Sequence, residues 1–289
     1  MPDEAAPRPP RAILSSFPRE YSLPGKPAIA GPQALDAYRQ TGFLLGEELA
    51  LFERTMNEVL TLISANAKAR GPRTAAMITL GARAFSHLAD ACTLMSQGSY
   101  ASCPPLVRMA LEAIAVQQAL SSDEFGPYQE WYQHAISHEG AAVRIELGRS
   151  KAASVLVADE NLGHLYRLLM DLSMPHFGSA LLFAAPETSL QKIPLSFADN
   201  SFHLGFAQLI SGWLLQLAVM QLSSWLAWST FVAEPSTAAQ YAPHSPARDI
   251  AKALGKAGRC YVERVDDGWV FHNFRRTPSG QPKRIVLGP

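Results

Sequence analysis

The chain has 289 residues, 48% hydrophobic and 17% charged, with 25 basic and 25 acidic side chains and a formal net charge of zero. That length buries a large core and holds one large domain or two, and zero net charge argues against a global field that draws nucleic acid or an anionic membrane. Cys92, Cys103 and Cys260 stand without CxxC spacing, which argues against a disulfide framework or a cysteine-rich zinc site and fits a reducing cytoplasm.

Residues 1–31 are expected to form a disordered Pro-rich leader. Met1 to Pro32 carries eight prolines and no apolar run of secretory-signal length. Proline lacks the N–H and clashes with the preceding turn, so no continuous helix forms there. A helical bundle is expected over 32–234. Its first helical stretch starts near Pro32 and runs to about Arg70, with Leu51, Val59, Leu60 and Ile63 at roughly helical spacing and Gly42 and Gly46 as interruptions. Pro72 suits the first turn of a second helix, which Gly98 stops. A third helix opens at Pro104-Pro105 and carries Arg108 and Glu112. After a break at 123–126, Pro127 opens a helix through Trp131 to about Leu147. A shorter helix spans about Asp159 to Leu172, and Pro175 ends it because the residue before proline avoids the helical region. A loop rich in Pro, Ser and Thr covers about 185–200.

From Asn200 to Ala233 there is no Asp, Glu, Lys or Arg, and Leu204 to Ala233 is long enough to span a bilayer. Gln208, Gln216 and Gln221 would need partners in hydrocarbon. The segment is therefore expected to be the central helix of a soluble bundle, with a membrane anchor over 204–233 as the alternative. Residues 235–289 form a separate module by composition. A linker reaches Pro246, a short helix opens at Ser245-Pro246 and ends near Gly258, and a hairpin turns at Asp266-Asp267-Gly268. Ile285 to Leu287 adds a third strand. The predicted fold class is mainly α: a helical bundle with a small C-terminal helix plus β-hairpin module that folds apart from it.

Candidate chemistry starts with Arg108 and Glu112, the two charged residues between Asp90 and Asp123, four positions apart on one helical face. Apolar neighbours imply burial, so the pair is either a tether between helices or the floor of a site that binds an anion. His176 sits just past a helix end, where an imidazole makes a reasonable acid–base group or cap. Glu130, His134 and His138 follow at i+4 steps, with Glu139, Glu160 and His164 nearby. They would line a helical stripe, yet no ligand set closes uniquely, so metal and cofactor stay unassigned and a solvated stripe is preferred. His87 and Asp90 form a weaker pair. The absence of Walker, G-x-G-x-x-G and G-x-S-x-G motifs speaks against nucleotide-dependent and α/β-hydrolase chemistry. From Ser245 onward nine Lys/Arg face four Asp/Glu, interleaved with Trp269, Phe271 and Phe274. That would suit nucleic acid, but strand alternation already explains the aromatics. A homodimer is left open.

The segment Gly98-Ser99-Tyr100-Ala101-Ser102-Cys103-Pro104-Pro105-Leu106-Val107-Arg108-Met109-Ala110-Leu111-Glu112-Ala113 resembles the Leu-x-Arg-x-x-x-Glu-Ala helix of uncharacterised bacterial helical-bundle proteins that look distantly HEPN-like. The Tyr/Trp-rich segment Tyr128 to His134 and the run Leu165-Tyr166 through Leu172-Ser173 to His176 agree in order. The resemblance covers about residues 50–230. It implies an α-helical bundle in which Arg108, Glu112 and His176 converge in the interior, and a cytoplasmic role in stress or phage defence. HEPN ribonucleases carry Arg-x4–6-His, whereas Arg83-Ala84-Phe85-Ser86-His87 is one residue short of that spacing. An enzyme with a small-molecule or metal site at the His/Glu cluster and a membrane-associated protein are the alternatives from other classes.

Overall fold

The computed structural model describes residues 14–66, 72–121, 136–139, 142–145, 156, 160–185, 188, 191–232, 246–266, 268–274 and 283–287. Among them the bundle is built from α1 (Pro32–Leu44), α2 (Gly46–Asn66), α3 (Pro72–Ser96), a 3-10 turn at Tyr100–Ser102, α4 (Cys103–Leu120), α5 (Glu160–Ser173), α6 (Phe177–Ala184) and α7 (Leu204–Val232). A small hairpin, β1 (Ile136–Glu139) with β2 (Ala142–Ile145), lies between α4 and α5 in the chain. The C-terminal module holds α8 (Ala247–Leu254) and an antiparallel sheet in the order β3 (Tyr261–Val265), β4 (Gly268–Asn273), β5 (Lys283–Leu287). The chain is thus mainly α, with the small C-terminal sheet the sequence predicts.

Local sequence explains most boundaries. The expected interruption near Gly42 and Gly46 is the break at Leu45 between α1 and α2. Gly98 ends α3 in the left-handed region at φ 77°, where a residue without Cβ meets no steric penalty. The helix expected from Pro127 to Leu147 is a correction: Ile136 to Ile145 forms β1 and β2, with Gly140-Ala141 between them. Ile136, Val143 and Ile145 are β-branched, and the short alternating segments suit a pleated strand better than a helix face. Residues 127–135 lie outside the described residues. The segment after Pro175, read as loop, forms α6 instead.

The leader is not wholly loose. Its described part, from residue 14, runs without regular structure, yet Tyr21 is buried and stands edge-on to Phe52 and Phe85 at 5.7 Å. Asn57 on α2 clamps it like a strand partner. Its Oδ1 accepts the Tyr21 N–H at 2.8 Å, and its Nδ2 donates to the Tyr21 carbonyl at 2.9 Å. At Tyr21 the leader is held to α2, because the Asn57 amide satisfies both backbone groups of that residue.

α7 is the axis of the bundle and packs on α2, α3 and α4. Trp225 and Trp228 on it are fully buried. Gln221 donates to the Gly81 carbonyl at 2.9 Å and Gln117 on α4 donates to the Met77 carbonyl at 3.1 Å, so two buried amides bind one face of α3. α7 is one helix that is long and apolar enough to cross a membrane by length and composition.

The C-terminal module docks on α2, α5 and α7 through groups that carry charge. Arg259 is buried beside Glu48 of α2, to which its Nη1 donates. Its Nη2 donates to the Gln208 carbonyl and to Ser211 Oγ (3.0 Å) on α7, and Ser211 in turn donates to the second Glu48 oxygen. Gly212 makes room for the guanidinium: a Cβ there would lie 3.0 Å from Arg259 Nη2. Phe271 stacks on Phe206 at 5.8 Å, Trp269 Nε1 donates to Asp171 at 3.0 Å, and Arg264 donates to His164 at 2.9 Å. Outside these, Lys256–Glu47 and Arg54–Asp249 form exposed bridges at 2.6 Å. Arg259, Arg264 and Lys256, three of the basic residues expected to face solvent, are engaged with the bundle.

Candidate functional site

Arg108 and Glu112 meet as the i, i+4 spacing predicts, with Nη1 to Oε1 at 3.2 Å. Their side chains are 27% and 23% exposed, so the pair is half-buried rather than interior. The reason lies in α4 itself: its core stripe is Val107, Ala110, Leu111 and Ile114, and the pair sits on the flank. The same Nη1 lies 3.1 Å from Met170 Sδ on α5. Burial first, and then the Glu112 carboxylate, push the neighbouring Tyr166 phenol upward. The pair thus tethers α4 to α5.

His176 does not join it. It is the exposed N-cap residue of α6, its ring makes no hydrogen bond among the described residues, and its carbonyl accepts from Ala180 N at 3.0 Å and Ser179 Oγ at 2.9 Å. The interior convergence implied for Arg108, Glu112 and His176 is therefore not the arrangement found.

The histidine and carboxylate stripe also dissolves. Glu130 and His134 lie outside the described residues, and His138 and Glu139 belong to β1, a strand rather than the helix that the stripe requires. Glu160 opens α5, and His164 is taken by Arg264. Among the described residues no group of three or more His, Cys, Asp or Glu could hold a metal ion. The three cysteines are buried. Burial pushes the Cys92 thiol up to about 11 and raises Cys103 and Cys260 as well, which makes them poor nucleophiles.

The described residues instead enclose a cleft of about 440 Å³ between the 3-10 turn, the α5–α6 junction and the segment leading into α7. That volume falls in the range of small-molecule sites. Leu172, Pro175, Phe183 and Tyr100 supply apolar surface, while Ser102, Asp199 and Asn200 supply polar atoms. Its wall is tightly built. A Cβ on Gly98 would lie 2.2 Å from the Asn200 carbonyl oxygen, so only glycine lets the 198–200 segment close against α3. Ser99 Oγ donates to Asn200 Oδ1 at 3.3 Å. Ala198 sits at φ 54°, a left-handed conformation that costs a non-glycine residue about 1–2 kcal/mol and that tends to mark ligand-holding segments.

Asp199 is the charged group among the described lining residues. Its Oδ1 accepts the Ser201 N–H at 2.8 Å and its Oδ2 lies 3.4 Å from His203 Nε2. Burial pushes the carboxyl up, but Ser201 and His203 outweigh it and hold Asp199 below the usual carboxylate value. Tyr100 OH accepts the His203 N–H at 3.2 Å, and burial raises its phenol well above the ordinary range. The cleft therefore presents a carboxylate and a neutral phenol beside apolar walls, with His203 behind them as a partner of both rather than a lining residue. The aromatic walls suit binding.

Tyr100, Asp199 and His203 do not follow from sequence periodicity. The available signals are Gly98-Ser99-Tyr100 just past a helix stop and Asp199-Asn200 just before the uncharged α7, two turn-like segments 100 positions apart. No protein-family model, no curated protein and no solved structure matches this chain.

Proposed function

We propose that the protein binds a small organic molecule in the cleft between Tyr100, Asp199 and the α5–α6 junction. The observation that carries this reading is the cleft of about 440 Å³, walled by apolar residues and by a strained, hydrogen-bonded segment around Ala198. Strained backbone persists when surrounding contacts over-determine it, and here those contacts position Asp199 and Asn200 at the cleft. A likeness to HEPN-type bundles belongs to the proposal as a likeness of helix pattern, resting on Leu106-x-Arg108-x-x-x-Glu112-Ala113. Ribonuclease chemistry does not belong to it, since the Arg-x4–6-His spacing is lacking at Arg83 and His87.

The test is a fragment screen by thermal shift and ligand-observed NMR on the full chain and on Ala180→Trp. Ala180 is an exposed cleft residue of α6, so an indole there fills the cleft at little cost to the core. Fragments that bind the unaltered chain and lose at least roughly tenfold in affinity with Ala180→Trp support the reading. Fragments that bind both proteins equally, or a screen with no binders, overturn it.

A further inference from the structure

Resting on the cleft reading above, we infer that the ligand is an organic ammonium: a cationic amine carried on an apolar, ring-sized body. Four observations converge. First, Asp199 is the charged side chain among the described residues lining the cleft, and no Lys or Arg stands with it there. An anionic ligand would meet a like charge with no Lys or Arg in the lining to offset it. Second, the carboxylate retains capacity. A carboxylate offers about four acceptor positions. The Ser201 N–H, the Ser201 side chain and His203 take up three, and the side chain keeps 15% of its surface open.

Third, part of the wall is aromatic. Tyr100 and Phe183 both line the cleft, and both pack against Phe206, at 5.8 and 5.2 Å between ring centroids. Ring faces attract an ammonium through their quadrupole. A carboxylate sharing a cleft with a phenol and a phenyl ring therefore favours a cation over an equally sized neutral group. Fourth, Leu172 and Pro175 add apolar surface to the same cleft, which suits a hydrocarbon body. Among the described residues no group of three or more His, Cys, Asp or Glu could hold a metal ion, which argues against a bare inorganic cation.

The experiment compares three probes of matched size on the full chain by calorimetry: 2-phenylethylamine, 2-phenylethanol and phenylacetate. The expected order is amine over alcohol by at least roughly tenfold, with phenylacetate weakest. Asp199→Asn keeps the acceptor for Ser201 N–H and removes the charge, so the amine-to-alcohol ratio should collapse to about one. Equal binding of amine and alcohol to the unaltered chain, or preference for phenylacetate, overturns the ammonium assignment while Ala180→Trp sensitivity keeps the cleft reading alive. A tenfold preference that survives Asp199→Asn overturns it too, since the charge would then come from elsewhere. No binding of any probe, together with no effect of Ala180→Trp on any fragment, removes both readings.

Discussion

Two ion pairs in this protein share chemistry and differ in environment, and the difference sets their energetics. Glu48 and Arg259 are buried, with side chains 9% and 8% exposed, and every polar neighbour of the guanidinium is a hydrogen-bond acceptor. Removing one partner strands a charge in low dielectric, a loss of about 3–5 kcal/mol. Arg259→Met and Glu48→Leu should each lower the unfolding free energy from chemical denaturation by that much, and the two together should cost less than the sum. Additive losses in that cycle would show the two are not coupled. Arg108 and Glu112 are half-open to solvent, so Glu112→Gln should cost only about 1 kcal/mol. Asp199 adds a pH dependence. Its folded carboxyl lies below the unfolded value of about 3.9, so the group binds fewer protons folded than unfolded. Its stabilisation is fully present above the unfolded value and is lost as pH falls through the lower folded one. Asp199→Asn should therefore flatten the acid limb of the stability curve below about pH 4, and an unchanged limb would assign the acid lability to other carboxylates.

At the level of elements, α7 carries docking notches as well as apolar bulk. Gly205 faces Phe271 and Asn273, where a Cβ would lie 3.0 and 2.9 Å from their side chains, and Gly212 faces Arg259. Gly212→Leu should push Arg259 out of its acceptors and cost about as much as losing the buried pair, read as a lowered melting temperature with loss of the Arg259 coupling. The sequence makes α7 legible as one uncharged run, and the β3–β4 turn through Asp266-Asp267-Gly268. It hides α6, because Pro175 and Gly178 mimic a loop, and it hides β1–β2, because ten residues with one glycine carry too little periodicity to outvote the helix pattern around them. The site is harder still. Arg108 and Glu112 are visible because a helix places i and i+4 together, whereas Glu48 and Arg259 are 211 positions apart and only the fold unites them. The same holds for Tyr100 and His203, separated by 103 positions.

At the scale of the molecule, the bundle and the C-terminal module bury one another. Phe271 and Cys260 of the module are as buried as the bundle core, and Phe206 beneath them would face water without the module. The separable folding expected from the linker is opposed by this packing. A chain ending at Thr237 should expose that apolar face and aggregate, whereas a monodisperse, cooperatively unfolding truncation would establish independence. The mutual burial also bears on α7. Placing it across a bilayer would strip Gln221 from the Gly81 carbonyl and withdraw Trp225 and Trp228 from the packed interior, with each freed amide costing several kcal/mol in hydrocarbon. The helix is held by a directional hydrogen bond to α3 as well as by apolar contact, and lipid can replace only the second. The full chain should therefore leave cell membranes with alkaline carbonate and run as a defined species on gel filtration without detergent. Retention in the pellet through alkaline wash, with release by detergent alone, would instead put α7 in the bilayer and dismantle the bundle described for it.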